Sequence, residues 1–278
     1  VRDLYPSDLA RLDRDALEAA VQQRAQCAYL GHGITLARVL TRYKLLLHTA
    51  DRGFACHVMM DGYWEIWLTQ FFARAIKPGM YVVDVGANYG YYTHLFADIV
   101  TSAGHVLAVE PNPAAADLLR QSVLLNGFNA QVRIVETALG ATQGDSAQLF
   151  VPHGEPKNAH LSTAPFGEGT FHTVPLTTLD HLVGLDRVDL VKIDAEGAEE
   201  DVIAGMRDTL HQHKPALILE FNTGRGNDPA ALLDNLSSLY GGITFVDFDG
   251  SPTLVDRETV LTTRVGEDWM LYFAPTPT

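Results

Sequence analysis

The chain has 278 residues, 47% hydrophobic and 19% charged, enough to bury a sizeable core and too apolar for a disordered chain. Its formal net charge of -14 argues against a nucleic-acid or anionic-membrane partner. Cys27 and Cys56 have neither zinc-ligand spacing nor the density of a disulfide scaffold, and no apolar run approaches the roughly 18 residues of a membrane span, so a cytoplasmic protein with reduced thiols is expected.

Residues 1–75 carry helical patterns rich in Ala, Leu and Arg, ending in the aromatic group Tyr63, Trp64 and Trp67. They predict a helical N-terminal cap, with the aromatic group in its core and Glu65 a secondary candidate for lining the cofactor or acceptor pocket. Residues 76–278 form the second unit, in which β-branched runs alternate with helical stretches. Strands are predicted at Tyr81–Val85, His105–Glu110, Val132–Ala138, Asp189–Asp194 and Ala216–Glu220, with helices at Tyr91–Ile99, Pro113–Leu125, Gly197–Leu210 and Asp228–Leu239. Ser146–Thr178 breaks the rhythm and reads as an insertion of two short strands and a long loop. Ile243–Phe248 and Trp269–Phe273 close the chain, joined by polar sequence with no clear helix, which suggests an antiparallel hairpin at one edge. The expected class is α/β: a mostly parallel, doubly wound Rossmann-like sheet behind a helical cap.

The turn after the first strand of this sheet is Asp84-Val85-Gly86-Ala87-Asn88-Tyr89-Gly90. Glycines there let backbone approach a ligand, and the following helix N-terminus favours a negative group. Twenty residues after Gly90 stands Glu110, placed to accept hydrogen bonds from ribose hydroxyls. A nicotinamide fingerprint requires small residues at positions 88 and 91, where this chain has Asn88 and Tyr91. Asp84 suits the ammonium group of S-adenosylmethionine better than a pyrophosphate. The pattern favours methyl transfer over hydride transfer.

The strings VVDVGANYGYYT, VLAVEPNP, VPLTTLD, VDLVKIDAEGAEEDVIAG and PALILEFN, in this order, resemble the FkbM family of methyltransferases over approximately residues 62–222. The resemblance implies a Rossmann-like methyltransferase fold and O-methylation of a natural product, sugar or lipid. It also implies cofactor contacts by Asp84, Gly86, Asn88, Gly90 and Glu110, with Thr93 at a place where the family often has Thr or Ser. By the general methyltransferase pattern, Thr137 and Ala138 border the adenine. The first 60 residues carry no family motif and are where acceptor choice is expected to reside.

Ligands on such sheets lie beyond the carboxyl ends of the strands, which brings Asp194 and Glu220 to the reaction side. Asp194 also counts among the cofactor-facing residues. Period two puts Lys192 on the same face as Asp194, as a functional group or a structural partner of carboxylates. An acceptor hydroxyl must be aligned and relieved of its proton, and two routes are open. In one, Asp194 or a histidine of the insertion (His153, His160 or His172, with His160 the candidate) is the base. In the other, Asp194, Glu220 and Asn222 hold Mg²⁺, an arrangement resembling the metal site of catechol O-methyltransferase. That pattern has an adjacent Asp-Asn pair, whereas here Phe221 intervenes. Glu196 and Gly197 are as well suited to capping the next helix as to lining the site. The expected partner is a small-molecule acceptor; the rivals are methylation of nitrogen or of a macromolecule, and a non-catalytic cofactor-binding module.

Overall fold

The computed structural model describes residues 2–164, 167–184, 187–226 and 228–275. The N-terminal segment opens with α1 (Pro6–Arg11) and α2 (Arg14–Gln22), the latter capped by the Asp13 carboxylate on the Ala16 N–H. It then departs from the all-helical expectation. β1 (Gln26–Gly31), β2 (Ile34–Val39) and β3 (Tyr43–His48) form a three-stranded antiparallel meander, followed by α3 (Phe54–Asp61) and α4 (Ile66–Ala75). The composition misleads because Ala, Leu and Arg suit helices. The local signals are strand-like: Gly31 and Gly33 turn the first hairpin at φ 92° and 77°, and β2 alternates half-buried and buried residues.

The main sheet starts with β4 (Tyr81–Val85), α5 (Tyr91–Val100), β5 (His105–Val109), α6 (Pro113–Asn126) and β6 (Val132–Val135). The third predicted strand then divides, because β7 (Ala138–Leu139) leaves the main sheet for a second one. That second sheet contains β8 (Gly144–Pro152), β9 (His160–Leu161) and β10 (Gly169–Thr177) in the order β7-β10-β8-β9. The insertion is thus better ordered than expected, its two main strands nine residues each. After α7 (Leu179–Val183) and β11 (Leu190–Ile193), the single helix expected from Gly197 to Leu210 is two: α8 (Glu199–Ala204) and α9 (Arg207–His213). Gly205 interrupts them, since a Cβ there would lie 2.1 Å from the Gly140 carbonyl oxygen.

β12 (Ala216–Phe221), α10 (Pro229–Tyr240), β13 (Thr244–Val246), β14 (Pro252–Leu254), α11 (Arg257–Thr262) and β15 (Trp269–Phe273) complete the chain. The closing edge is more elaborate than a hairpin, with an extra strand and a short helix between β13 and β15. The main sheet runs β14-β13-β15-β12-β11-β4-β5-β6; β12 through β6 are parallel neighbours and β15, β13 and β14 antiparallel.

Period two sorts the strands into two cores. Val83, Val85, Leu107, Val109, Val191, Ile193, Leu217 and Leu219 face α7–α10. Val82, Val106, Leu190 and Ile218 face the other way, into a core shared with α5 and the N-terminal segment (Leu17, Leu45, Phe54, Phe72). The N-terminal residues therefore complete a layer of the sheet domain. Asp84, Lys192 and the residues at the strand ends, Glu110, Asp194 and Glu220, have the parity of this second face. The alternation thus directs these five side chains toward the side that the N-terminal segment covers. Among the described residues, no helix is long and apolar enough to cross a membrane, and Cys27 and Cys56 are exposed, free thiols.

Candidate active site

A cleft opens at the carboxyl ends of β4, β5, β11 and β12, where the insertion sheet and the N-terminal segment meet. Its empty space is about 1070 Å³ when the open mouth is counted. One end is formed by the turn after β4. Gly86 has φ 71°, and a Cβ on it would fall 1.7 Å from the Asp194 carbonyl oxygen, so this glycine is required by the close passage of β11. Asn88 sits at φ 50°, and its N–H donates to Glu110 Oε2 at 2.7 Å; the Asn112 N–H donates to Oε1 at 2.8 Å. Glu110 thus enters the cleft with one backbone amide on each oxygen and lone pairs left for hydroxyls. Burial, only partly offset by those amides, pushes its carboxyl up to about 7.

Gly86, Asn88, Glu110, Thr137 and Ala138 all line this end, with Val109, Pro111, Leu139 and Leu149 as its apolar surfaces. These residues fit an adenosyl cofactor: an apolar slot for a base, a carboxylate for ribose, and the N-terminus of α5 at Tyr91 and Tyr92 for a carboxylate. Three expected contacts are not on the wall. Gly90 caps α5 from behind at φ 90°. Asp84, expected at the cofactor's ammonium, is 0% exposed beneath the turn. Its Oδ2 accepts the Thr93 hydroxyl at 2.6 Å, which seals Thr93 as well, and its Oδ1 lies 3.2 Å from Lys192 Nζ. The reason is register: Asp84 and Lys192 are cross-strand partners on one face of a buried sheet.

Lys192 is 2% exposed and reaches three ways, to Asp84, to Asp194 Oδ2 at 3.6 Å, and to the carbonyls of Val85 and Gly86, each at 3.4 Å. Burial alone would lower its pKa, but Asp84 and Asp194 outweigh it and hold the ammonium above its ordinary range. Asp194 lines the cleft at the far side of this lysine.

The other end draws on distant segments: Phe54 and Trp64 from the N-terminal segment, Pro156, Lys157, His160 and Leu161 from the insertion, and Glu196 and Glu220 beyond β11 and β12, while Glu65 lies between the two ends, against Tyr92. The structure brings Asp194, Glu196 and Glu220 within 4.8 Å of one another, a donor set that can hold a cation. Asn222, expected as a ligand, is not among them; its amide donates to Asp268 at 2.8 Å and its oxygen accepts the Gly224 N–H at 2.8 Å. The positive charge between these carboxylates is Arg225, a residue the sequence pattern did not single out. Its guanidinium lies 2.7 Å from Glu220, 3.2 Å from Glu196 and 3.5 Å from Asp268. Burial raises Glu196 to about 7, and burial with neighbouring carboxylates raises Glu220 well above its usual range. Neither Glu196 nor Gly197 caps α8, whose N-cap is Ala198; Glu199 accepts the Ala195 and Gly197 N–H groups of the preceding turn, and Glu196 (φ 51°) turns into the cleft.

His160 lies on the wall, while His153 and His172 do not. Its Nδ1 is 3.0 Å from the Asn158 carbonyl oxygen. A carbonyl can only accept, so Nδ1 carries the proton and Nε2 keeps its lone pair in the neutral ring.

A glycine turn after one parallel strand and a carboxylate ending the next frame an adenosyl-cofactor enzyme, and the relatives fix its class as an S-adenosylmethionine-dependent methyltransferase. The methyltransferase FkbM domain matches residues 84–241, more than half of the chain, and the protein belongs to that family. It is 27% identical over 175 residues to the methyltransferase sdnD of Sordaria araneosa, covering 52% of this chain and 67% of that one. To the 2-O-methyltransferase NoeI of Sinorhizobium fredii it is 29% identical over 151 residues, 48% of this chain and 60% of that one. A crystal structure of methyltransferase FkbM from Methylobacillus flagellatus matches with a TM-score of 0.47 and 18% identity, over 72% of this chain and 44% of that one. The matched stretch is therefore two thirds or less of each relative's length.

Proposed function

We propose that the enzyme methylates a hydroxyl of a small molecule held between the N-terminal segment and the insertion sheet. The observation that carries this reading is His160, brought by a short strand of the insertion onto the wall of a cleft that also contains Asp194. S-adenosylmethionine, when bound, supplies a methyl group on a sulfonium. Asp194, anchored by Lys192, accepts a hydrogen bond from a second donor of the acceptor molecule and so orients it, leaving the reacting hydroxyl's own proton directed at His160. His160 Nε2 takes the hydroxyl proton as the oxygen becomes nucleophilic. Phe54, Trp64 and Leu161 exclude water around the acceptor. Two exposed, unpaired thiols suit a reducing compartment, and we place the enzyme in the cytoplasm.

The proposed chemistry uses no metal ion. The three carboxylates match a hard cation in donor type, but the Arg225 guanidinium already pairs with Glu196 and Glu220 and supplies one positive charge there. The test is S-adenosylhomocysteine release over a panel of sugars, phenols and hydroxylated lipids in EDTA, with the product's methyl position mapped. Turnover in EDTA with an O-methyl product is expected, and His160→Gln should lower kcat by roughly 100- to 10,000-fold. Loss of turnover in EDTA with restoration by Mg²⁺ would reinstate the metal route, and an N-methyl product would overturn the assignment.

A further inference from the structure

We propose that Glu65 is the carboxylate that receives the α-ammonium group of S-adenosylmethionine, in place of the sealed Asp84. This assignment rests on the cofactor's lying at the turn after β4. Five carboxylates line the cleft: Glu65, Glu110, Asp194, Glu196 and Glu220. Asp194 has Lys192 as partner, and Glu196 and Glu220 share Arg225. Glu110 ends β5, at the ribose position, and is held there by two backbone amides. Glu65 has no cation within ion-pair distance among the described residues. Among the described residues its carboxylate has one hydrogen bond, from the Tyr92 hydroxyl to Oε2 at 2.7 Å.

That single bond also fixes the location. Tyr92 lies in the first turn of α5, the helix whose N-terminus takes the carboxylate of the cofactor's methionine part. The α-ammonium is one carbon from that carboxylate, so a free carboxylate beside the same turn is where it should be met. Glu65 is held there by an unusual backbone, φ 37° and ψ 64°, at the start of α4. A non-glycine residue in the left-handed region costs energy, which points to a constraint on where this side chain must be. The groups facing Glu65 are Tyr91 and Tyr92 from α5, Lys192 and Asp194 from the end of β11, and Lys157 from the insertion. A partly buried carboxylate without a cation is poorly satisfied, and burial raises Glu65 to about 7. An arriving ammonium favours the ionised form, so binding near neutrality releases a proton.

The experiment is calorimetry with two ligands. S-adenosylhomocysteine carries the α-ammonium, and 5′-methylthioadenosine keeps the adenosine and lacks the amino-acid part. Glu65→Gln should weaken S-adenosylhomocysteine roughly 10- to 100-fold, the range for a hydrogen bond between charged groups. It should leave 5′-methylthioadenosine within about twofold, since the adenosine contacts remain intact. At pH 6.5, titrations in phosphate and in imidazole should show fewer protons released on S-adenosylhomocysteine binding by the variant than by the wild type. Asp84→Asn is the converse: it should lower the thermal midpoint and weaken both ligands alike. If Glu65→Gln does not fold, Glu65→Asn, which tolerates positive φ, carries the same comparison. Equal loss for both ligands, or no loss for either, overturns the assignment to Glu65. A wild type that binds neither ligand overturns the cofactor site itself, and this assignment with it.

Discussion

The end of the cleft proposed for the cofactor is built from three short segments that each follow a strand, whereas the proposed acceptor end draws on residues as far apart as Phe54, His160 and Glu220. At the first end, position along the chain nearly decides position in space: a strand, a turn, and a helix start. At the second, a meander-bearing N-terminal segment, an inserted sheet and two loops must converge before any wall exists. The first end tolerates little change, because backbone passes within van der Waals distance of backbone. The second is assembled from loops and side chains, the kind of surface on which specificity can change without loss of the fold. Lys192 joins the two, with Asp84 and the Gly86 carbonyl on one side and Asp194 on the other.

The largest effect is therefore expected at that junction. Lys192→Met removes the only cation within ion-pair range of Asp84 among the described residues and leaves a fully buried carboxylate uncompensated. A loss of about 3–5 kcal/mol of stability is expected, read by denaturant unfolding. A loss under about 1 kcal/mol would mean that the two ends are held independently.

Next comes Gly86→Ala, which tests the rigidity of the cofactor end alone. Its Cβ would meet the Asp194 carbonyl oxygen at 1.7 Å, with φ at 71°. Overpacking and left-handed strain together suggest a loss of about 2–5 kcal/mol, and cofactor affinity should fall in whatever folds. Retained affinity and stability would show that β4 and β11 can separate at no cost.

The smallest effect concerns pH. Glu65, Glu110 and Glu196 are each raised to about 7, burial being the first cause in every case. A carboxyl whose folded pKa exceeds its unfolded value binds protons more readily in the folded chain. Acidification from pH 8 toward 5 should then stabilise the ligand-free protein, and the gain is complete only below the unfolded value near 4.5. With discount for partial exposure, the expected gain is on the order of 1 kcal/mol, or about 2–4 °C in thermal midpoint. Bound S-adenosylhomocysteine should flatten the trend, because the ammonium keeps Glu65 ionised. A midpoint that falls on acidification over this interval would contradict the burial of these groups.

The sequence by itself determined the mostly parallel sheet and the chain order of its central strands, and it put Gly86, Asn88 and Glu110 just past the ends of β4 and β5, where they line the cleft. These follow from short-range rules: alternation places residues on faces, and a glycine turn between strand and helix has few conformations. Even the Asp84–Lys192 pair was within reach of that logic, since both residues have the same parity on central strands. The meander of residues 26–48 was obscured by a composition that suits helices, although its two glycines marked the hairpin. Only the tertiary structure decided that Asp84 is sealed, that Arg225 sits between Glu196 and Glu220, and that Asn222 turns to Asp268. It alone brought Glu65 and His160 to a cleft whose floor lies elsewhere in the chain. The physical reason is range. A carboxylate's role depends on which charge stands within a few ångströms of it, and no periodicity along the chain carries that distance.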